Sequence, residues 1–247
     1  SFGAGEVRFD VAYDAEFAAG LCRAAEKAGL PAGTLGERDK ELDHGTMVPL
    51  YFIREAYGGV LNVPIVRIGL SGLPYADHYR LGMLIRETAE ALGRKIAVVA
   101  SGDLSHRLKE DGPYGFNAAG PAYDERVMGA LGSGAFGELL EFSESFCDEA
   151  GECGHRSFTI MAGCFDGVGV RAERLSYEGP FGVGYGVCTF APTEPDESRR
   201  FLDRYRQKMH SELDARRKNE DAYVRLARQT VERYVTYKEI IPVPDCL

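Results

Sequence analysis

Three consecutive segments constrain this chain most. Val63–Leu70 is a short β-branched run. Asp77–Leu92 carries Leu81, Leu84, Ile85, Thr88, Ala89 and Leu92 at helical spacing before a Gly93 stop, and Ile96–Ser101 is a continuous apolar run. Strand, helix and strand in that order predict a βαβ unit, with parallel strands and a right-handed crossover. The unbroken apolar run predicts a strand buried on both faces. This commits the chain to the α/β class: a three-layer α/β/α domain around a mixed, partly parallel sheet, with a C-terminal helical extension. In such sheets ligands sit at the carboxyl ends of strands. Asp103 and His106 fall at that position.

The flanking segments fill in the layers. Helices are expected at 14–29, with Asp14 as cap and Gly29 as stop, and from Thr46 to Tyr57, with Thr46 as N-cap and Pro49 tolerated in the first turn. Pro31–Leu42 and the Gly-, Pro- and Tyr-rich stretch 107–121 read as loops. Short helices are expected near 122–131, 135–142 and 156–165. Val170–Tyr177 and Tyr185–Phe190 alternate about the turn at Glu178-Gly179-Pro180 and predict an antiparallel hairpin. Pro192 and Pro195 then mark a linker. A charged helix follows over 198–219, and Asp221 caps another reaching Val235, with an extended tail at Ile241-Pro242-Val243-Pro244. The domains are expected at 1–191, 192–220 as a charged helical linker, and 221–247.

Composition narrows the function classes. A net charge of −9 over 247 residues argues against non-specific nucleic-acid binding. No apolar run reaches the roughly 18 residues of a membrane helix, so no membrane partner is expected. Six cysteines without a CxxC read as reduced thiols. The opening residues have neither a basic start nor an apolar core, and a cytoplasmic location is expected.

Two clusters carry chemistry. Asp43-His44-Gly45 sits before a helix start, where the dipole favours an ionised carboxylate and a neutral imidazole. His106 follows Asp103 off the apolar run. Two histidines suit a reaction that removes a proton and later returns one. Each could equally be a cap or a satisfied core group. Glu152 precedes a helix start, where a carboxylate can serve as a metal ligand. Cys153 there reads first as core packing, His155 as a surface or supporting group, and His78 as part of an exposed first turn. Tyr114, Phe116 and Tyr123 could stack on an aromatic ring or simply pack.

Four stretches resemble one family. Leu42–Ile53 (LDHGTMVPLYFI), Val99–Gly115 (VASGDLSHRLKEDGPYG), Glu152–Gly163 (ECGHRSFTIMAG) and Phe181–Phe190 (FGVGYGVCTF) look like the LigB-type class III extradiol ring-cleavage dioxygenases. Within these they are most like the LigB-like domain of AmmeMemoRadiSam system proteins. Residues 221–247 resemble the start of the AMMECR-type domain that follows there. The resemblance implies a non-haem Fe(II) oxidoreductase that opens a catechol-like diol with O₂ and tends to pair as a homodimer. It implies His106 as the base, His44 with Asp43 as the second proton-handling group, and Glu152 as the iron carboxylate. The family's two iron histidines come from an N-terminal segment with no counterpart in this sequence. At most one of three ligands is therefore expected here, with weak or no iron binding by this chain alone. A binding module that keeps the fold and a metal-dependent hydrolase are the alternatives.

Overall fold

The computed structural model describes residue 8 and residues 10–34 and 41–241. Residues 35–40 of the loop expected at 31–42, and the tail past Ile241, lie outside the described residues. The chain divides into two compact units, Ser1–Leu202 and Asp203–Leu247.

The α/β class holds, with helices dominant. In the first unit α1 spans Ala15–Lys27, α2 His44–Ala56, α3 Tyr75–Ala91, α4 Ala119–Ser133, α5 Glu144–Ala150 and α6 His155–Gly163, with a 3-10 helix at Phe136–Glu141. The expected hairpin is present as β1, Val168–Glu178, and β2, Tyr185–Pro195, antiparallel with Ala172 opposite Phe190.

Local chemistry sets these starts. The Asp14 carboxylate accepts the Phe17 amide at 2.9 Å, and the helix buries Phe17, Leu21 and Ala25 at four-residue spacing. The N-cap of α2 is Asp43, which accepts the Thr46 amide at 2.9 Å, so the helix begins at His44 rather than after Thr46. A carboxylate is the stronger acceptor and wins the cap. Pro49 then falls in the second turn, where it leaves the Gly45 carbonyl without its helical donor.

The parallel character is confined to one bridge among the described residues, Tyr13 beside Ile65, with Ile65 donating to the Ala12 carbonyl at 2.8 Å. Val63–Leu70 and Ile96–Ser101 otherwise run without ladder partners. Both lie against the core. Val66, Ile68 and Val98 pack on the cluster of Phe17, Leu21, Ile85, Ala89, Ile160 and Cys164, while Val99 is 54% exposed. The unbroken apolar run thus belongs to a segment covered on one side, not two.

The core centres on α3 crossing α6 at near backbone contact. A Cβ on Gly82 would overlap the Ile160 carbonyl oxygen, and one on Gly163 the Tyr79 carbonyl oxygen. Below the crossing, buried Asp166 accepts the Tyr79 hydroxyl at 2.9 Å and the Phe201 amide at 2.9 Å.

His78 is buried, contrary to its expected exposure. The residues before α3 fold back over it: the Ser71 amide donates to Nε2 at 3.4 Å, and Nδ1 lies 3.2 Å from the Pro74 carbonyl. Burial holds its pKa below the ordinary imidazole range.

α7 spans Phe201–Lys218 and α8 Ala222–Tyr237. In the second unit Asp221 caps α8 through the Val224 amide at 2.8 Å, and Arg228 pairs with Glu220 and Glu232. No residue of α8 is buried; Val224, Val231 and Val235 stand exposed. Among the described residues no helix is long and apolar enough to cross a membrane.

Candidate metal centre

Two loops make the site, and glycines let them meet. The segment Ser101–Arg107 leaves the apolar run, and Gly151–Gly154 leads from α5 into α6. A Cβ on Gly102 would overlap the Gly154 backbone, so only paired glycines permit this approach. Gly151 takes the left-handed conformation that ends α5, with φ of 66°. Backbone bonds then join the loops: Cys153 N–H to the Asp103 carbonyl at 3.4 Å, and His106 N–H to the Gly151 carbonyl at 3.3 Å. On its other side the first loop exchanges bonds with Gly184, Leu104 donating at 2.9 Å and Ser105 accepting at 2.8 Å.

This stitching brings one carboxylate, one imidazole and one thiol together. Ligand atoms of Asp103, His106 and Cys153 all lie within 4.8 Å of one another. His106 Nε2 is 3.3 Å from Asp103 Oδ2, but the geometry makes no hydrogen bond, and the buried nitrogen has no hydrogen-bond partner among the described residues. A buried polar atom without a partner is costly, and an ion between these groups would satisfy it. The Asp103 amide donates to Cys153 Sγ at 3.2 Å. Cys153 is exposed at its edge while its sulfur lies back against the loop, and burial of that sulfur raises the thiol pKa. Nitrogen, oxygen and sulfur donors at this spacing fit a borderline divalent metal such as Fe(II), Co(II) or Zn(II). Tyr114 stacks on the His106 ring at 5.2 Å and 24°, which shields the imidazole from solvent.

The other expected residues take different places. Asp43 caps α2, and the Thr46 hydrogen bonds hold its carboxyl below the ordinary range. His44 is the exposed first residue of that helix. The turn packs near the Ser101–Arg107 loop: a Cβ on Gly45 would meet Ser101 Oγ at 3.9 Å. The Glu152 carboxylate accepts the His155 amide at 2.6 Å and so starts α6; it is not one of the three converging groups. Burial raises its pKa.

His155 is fully buried, not a surface group. Nε2 donates to the Leu139 carbonyl at 2.9 Å, and Nδ1 accepts the Tyr123 hydroxyl at 3.2 Å. Burial pushes its pKa down to about 4, so the ring is neutral in the fold, and the tautomer with its proton on Nε2 makes both bonds. Tyr123 is likewise fully buried and faces this core rather than a ligand; Phe116 remains exposed. Neither Cys153 nor Asp103 stands out by residue type alone. Asp103 sits three residues before His106, and Cys153 sits between a carboxylate and a glycine at a helix start, but only the fold brings these two patterns together.

The family model for the catalytic LigB subunit of aromatic ring-opening dioxygenase matches residues 2–188. A curated relative, Protein CA_C1420 of Clostridium acetobutylicum, is 40% identical over 206 residues, covering 83% of this chain and 43% of its own length. The chain therefore spans less than half the length of that relative.

Proposed function

Because the chain belongs to the family of catalytic LigB subunits of aromatic ring-opening dioxygenases, we propose that it holds ferrous iron at Asp103, His106 and Cys153 and opens a catechol-like ring with O₂. The observation that carries this reading is the buried Nε2 of His106, without a hydrogen-bond partner among the described residues, facing a carboxylate and a thiol. A bound divalent ion would supply a Lewis acid that eases deprotonation of the diol, and open positions for diol and oxygen.

The chain's own residues do the rest. His44, at the first turn of α2 with Asp43 as its cap, is the group we assign to taking up and returning the diol proton. Its helix start packs close to Ser101, on the side of the loop that leads to Asp103. His106, a candidate base by residue type, is here assigned to the metal. Glu152, the iron carboxylate that the resemblance implies, is assigned to holding the turn that presents Cys153, through its bond to the His155 amide.

One observation favours a second reading. A thiolate donor suits zinc at least as well as iron, and zinc in the same site would serve hydrolysis of a polar substrate. Anaerobic loading with Fe(II) or Zn(II), metal analysis, and assay against a catechol panel with O₂ uptake separate the two. We expect one equivalent of metal, lost in Cys153→Ala and His106→Ala and kept in Glu152→Gln. Full retention in Cys153→Ala would sink the ligand assignment. Catechol-dependent O₂ uptake supports ring opening, whereas zinc binding without it supports the hydrolase.

A further inference from the structure

Asp124 lies in α4, outside the metal centre, and is 1% exposed. A buried carboxylate needs donors, and two converge on it. The Ser105 amide donates to Oδ1 at 2.8 Å, and the Tyr177 hydroxyl, from β1, donates to Oδ2 at 2.7 Å. Gly184 leaves the space: a Cβ there would overlap the Asp124 carboxylate. Gly184 is also the residue that exchanges backbone bonds with Leu104 and Ser105. Ser105 is itself fully buried, and its Oγ donates to the Ala150 carbonyl at 2.7 Å and accepts the Arg107 amide at 2.9 Å. The residue immediately before His106 is thus fixed at its amide, its carbonyl and its side chain. Asp124 supplies the one charged acceptor among these contacts, and charge-assisted bonds are the stronger kind.

We propose that Asp124, backed by Tyr177, is a positioning residue for His106: it fixes the loop that sets the reach from His106 to Asp103 and Cys153. This rests on the reading that those three groups hold a metal. Such supporting contacts behind a ligand tune how well it is presented. A carboxylate that merely stabilised the fold would change unfolding without moving the imidazole.

The test is Co(II) titration of the parent, Asp124→Asn, Asp124→Leu and Tyr177→Phe, read by the thiolate-to-cobalt absorption band. The His106 ring resonances of the metal-free proteins are followed alongside, since the Tyr114 ring beside them shifts their signals. Asparagine keeps an oxygen for the Ser105 amide and turns an amide N–H toward the Tyr177 oxygen. We expect Asp124→Asn to stay within about threefold of the parent, and Asp124→Leu to bind Co(II) about tenfold or more weakly with displaced His106 ring signals. A folded Asp124→Leu with the parent's affinity and unmoved ring signals overturns the proposal. Should Asp124→Leu fail to fold, Tyr177→Phe decides: displaced His106 signals support the proposal, and unchanged ones overturn it. Absence of a thiolate band in the parent defeats the metal reading alone. The ring signals then still decide the positioning role by the same two outcomes.

Discussion

His155 illustrates how little a residue type says without its surroundings. Beside Cys153 and Glu152 it reads as a surface or supporting group, yet both its nitrogens are spent inside the core. Tyr75, Tyr123 and Phe142 pack around it, burial disfavours the imidazolium most, and the charges of Arg156 and Arg126 add to that. The unfolded chain protonates this residue near its ordinary value, while the folded one resists down to about 4. Stability is therefore lost as pH falls through that window. Between about pH 7 and pH 5 the loss from this one group is about 2 kcal/mol. Glu152 and Asp124, whose burial raises their pKa values, act in the opposite direction in acid, so the useful comparison is with a variant. Urea unfolding of His155→Gln at both pH values should show a shallower loss than the parent; an equal loss would rule this account out. The same dependence on context hid the Asp103, His106 and Cys153 cluster. His106 was legible from its place after an apolar run. Its partnership with Cys153 was not, because no spacing rule links residues brought together by a glycine contact.

At the scale of elements, helices were legible and strands less so. Capping residues and helical spacing mark α1, α3 and α8 to within a few residues, since those signals act locally. Pairing of Val63–Leu70 and Ile96–Ser101 depends on neighbours elsewhere in space, and composition cannot tell a segment covered on one face from one covered on two. The hairpin was easier, because its turn lies between its own strands. The α3–α6 crossing was invisible for a related reason: Gly82 and Gly163 look like weak points within helices, yet they are where two backbones touch. Gly82→Ala gains helix propensity but must force the helices apart. We expect a net loss of roughly 3 kcal/mol or more in denaturant unfolding, opposite in sign to propensity alone. A more stable variant would show that the crossing is looser than described.

For the whole molecule, the two units differ in how they are held. Leu202 is buried and Phe201 donates to Asp166, so the first two residues of α7 belong to the first unit. Beyond them charge pairs dominate and α8 buries nothing. Ending the chain at Glu220 should leave the melting temperature of the first unit within about 2 °C. Ending it at Arg200 should lower it by roughly 5 °C or more, as buried contacts at Asp166 are lost. Calorimetry would check both, and equal effects would contradict the division. The stitching of the loops that carry Asp103 and Cys153 has a bearing on time as well as on shape. Asp103 and Cys153 are fifty positions apart, and α4 and α5 must fold and dock in between before they can meet. Contacts of such long separation form late and are absent from an early transition state. An ion bound there should then leave the refolding rate nearly unchanged and slow unfolding, by about a hundredfold at a free concentration a hundred times Kd. Stopped-flow refolding that accelerates with metal would mean the loops meet early. If they meet last, the metal acts as a latch that closes on a finished fold and sets how long that fold endures.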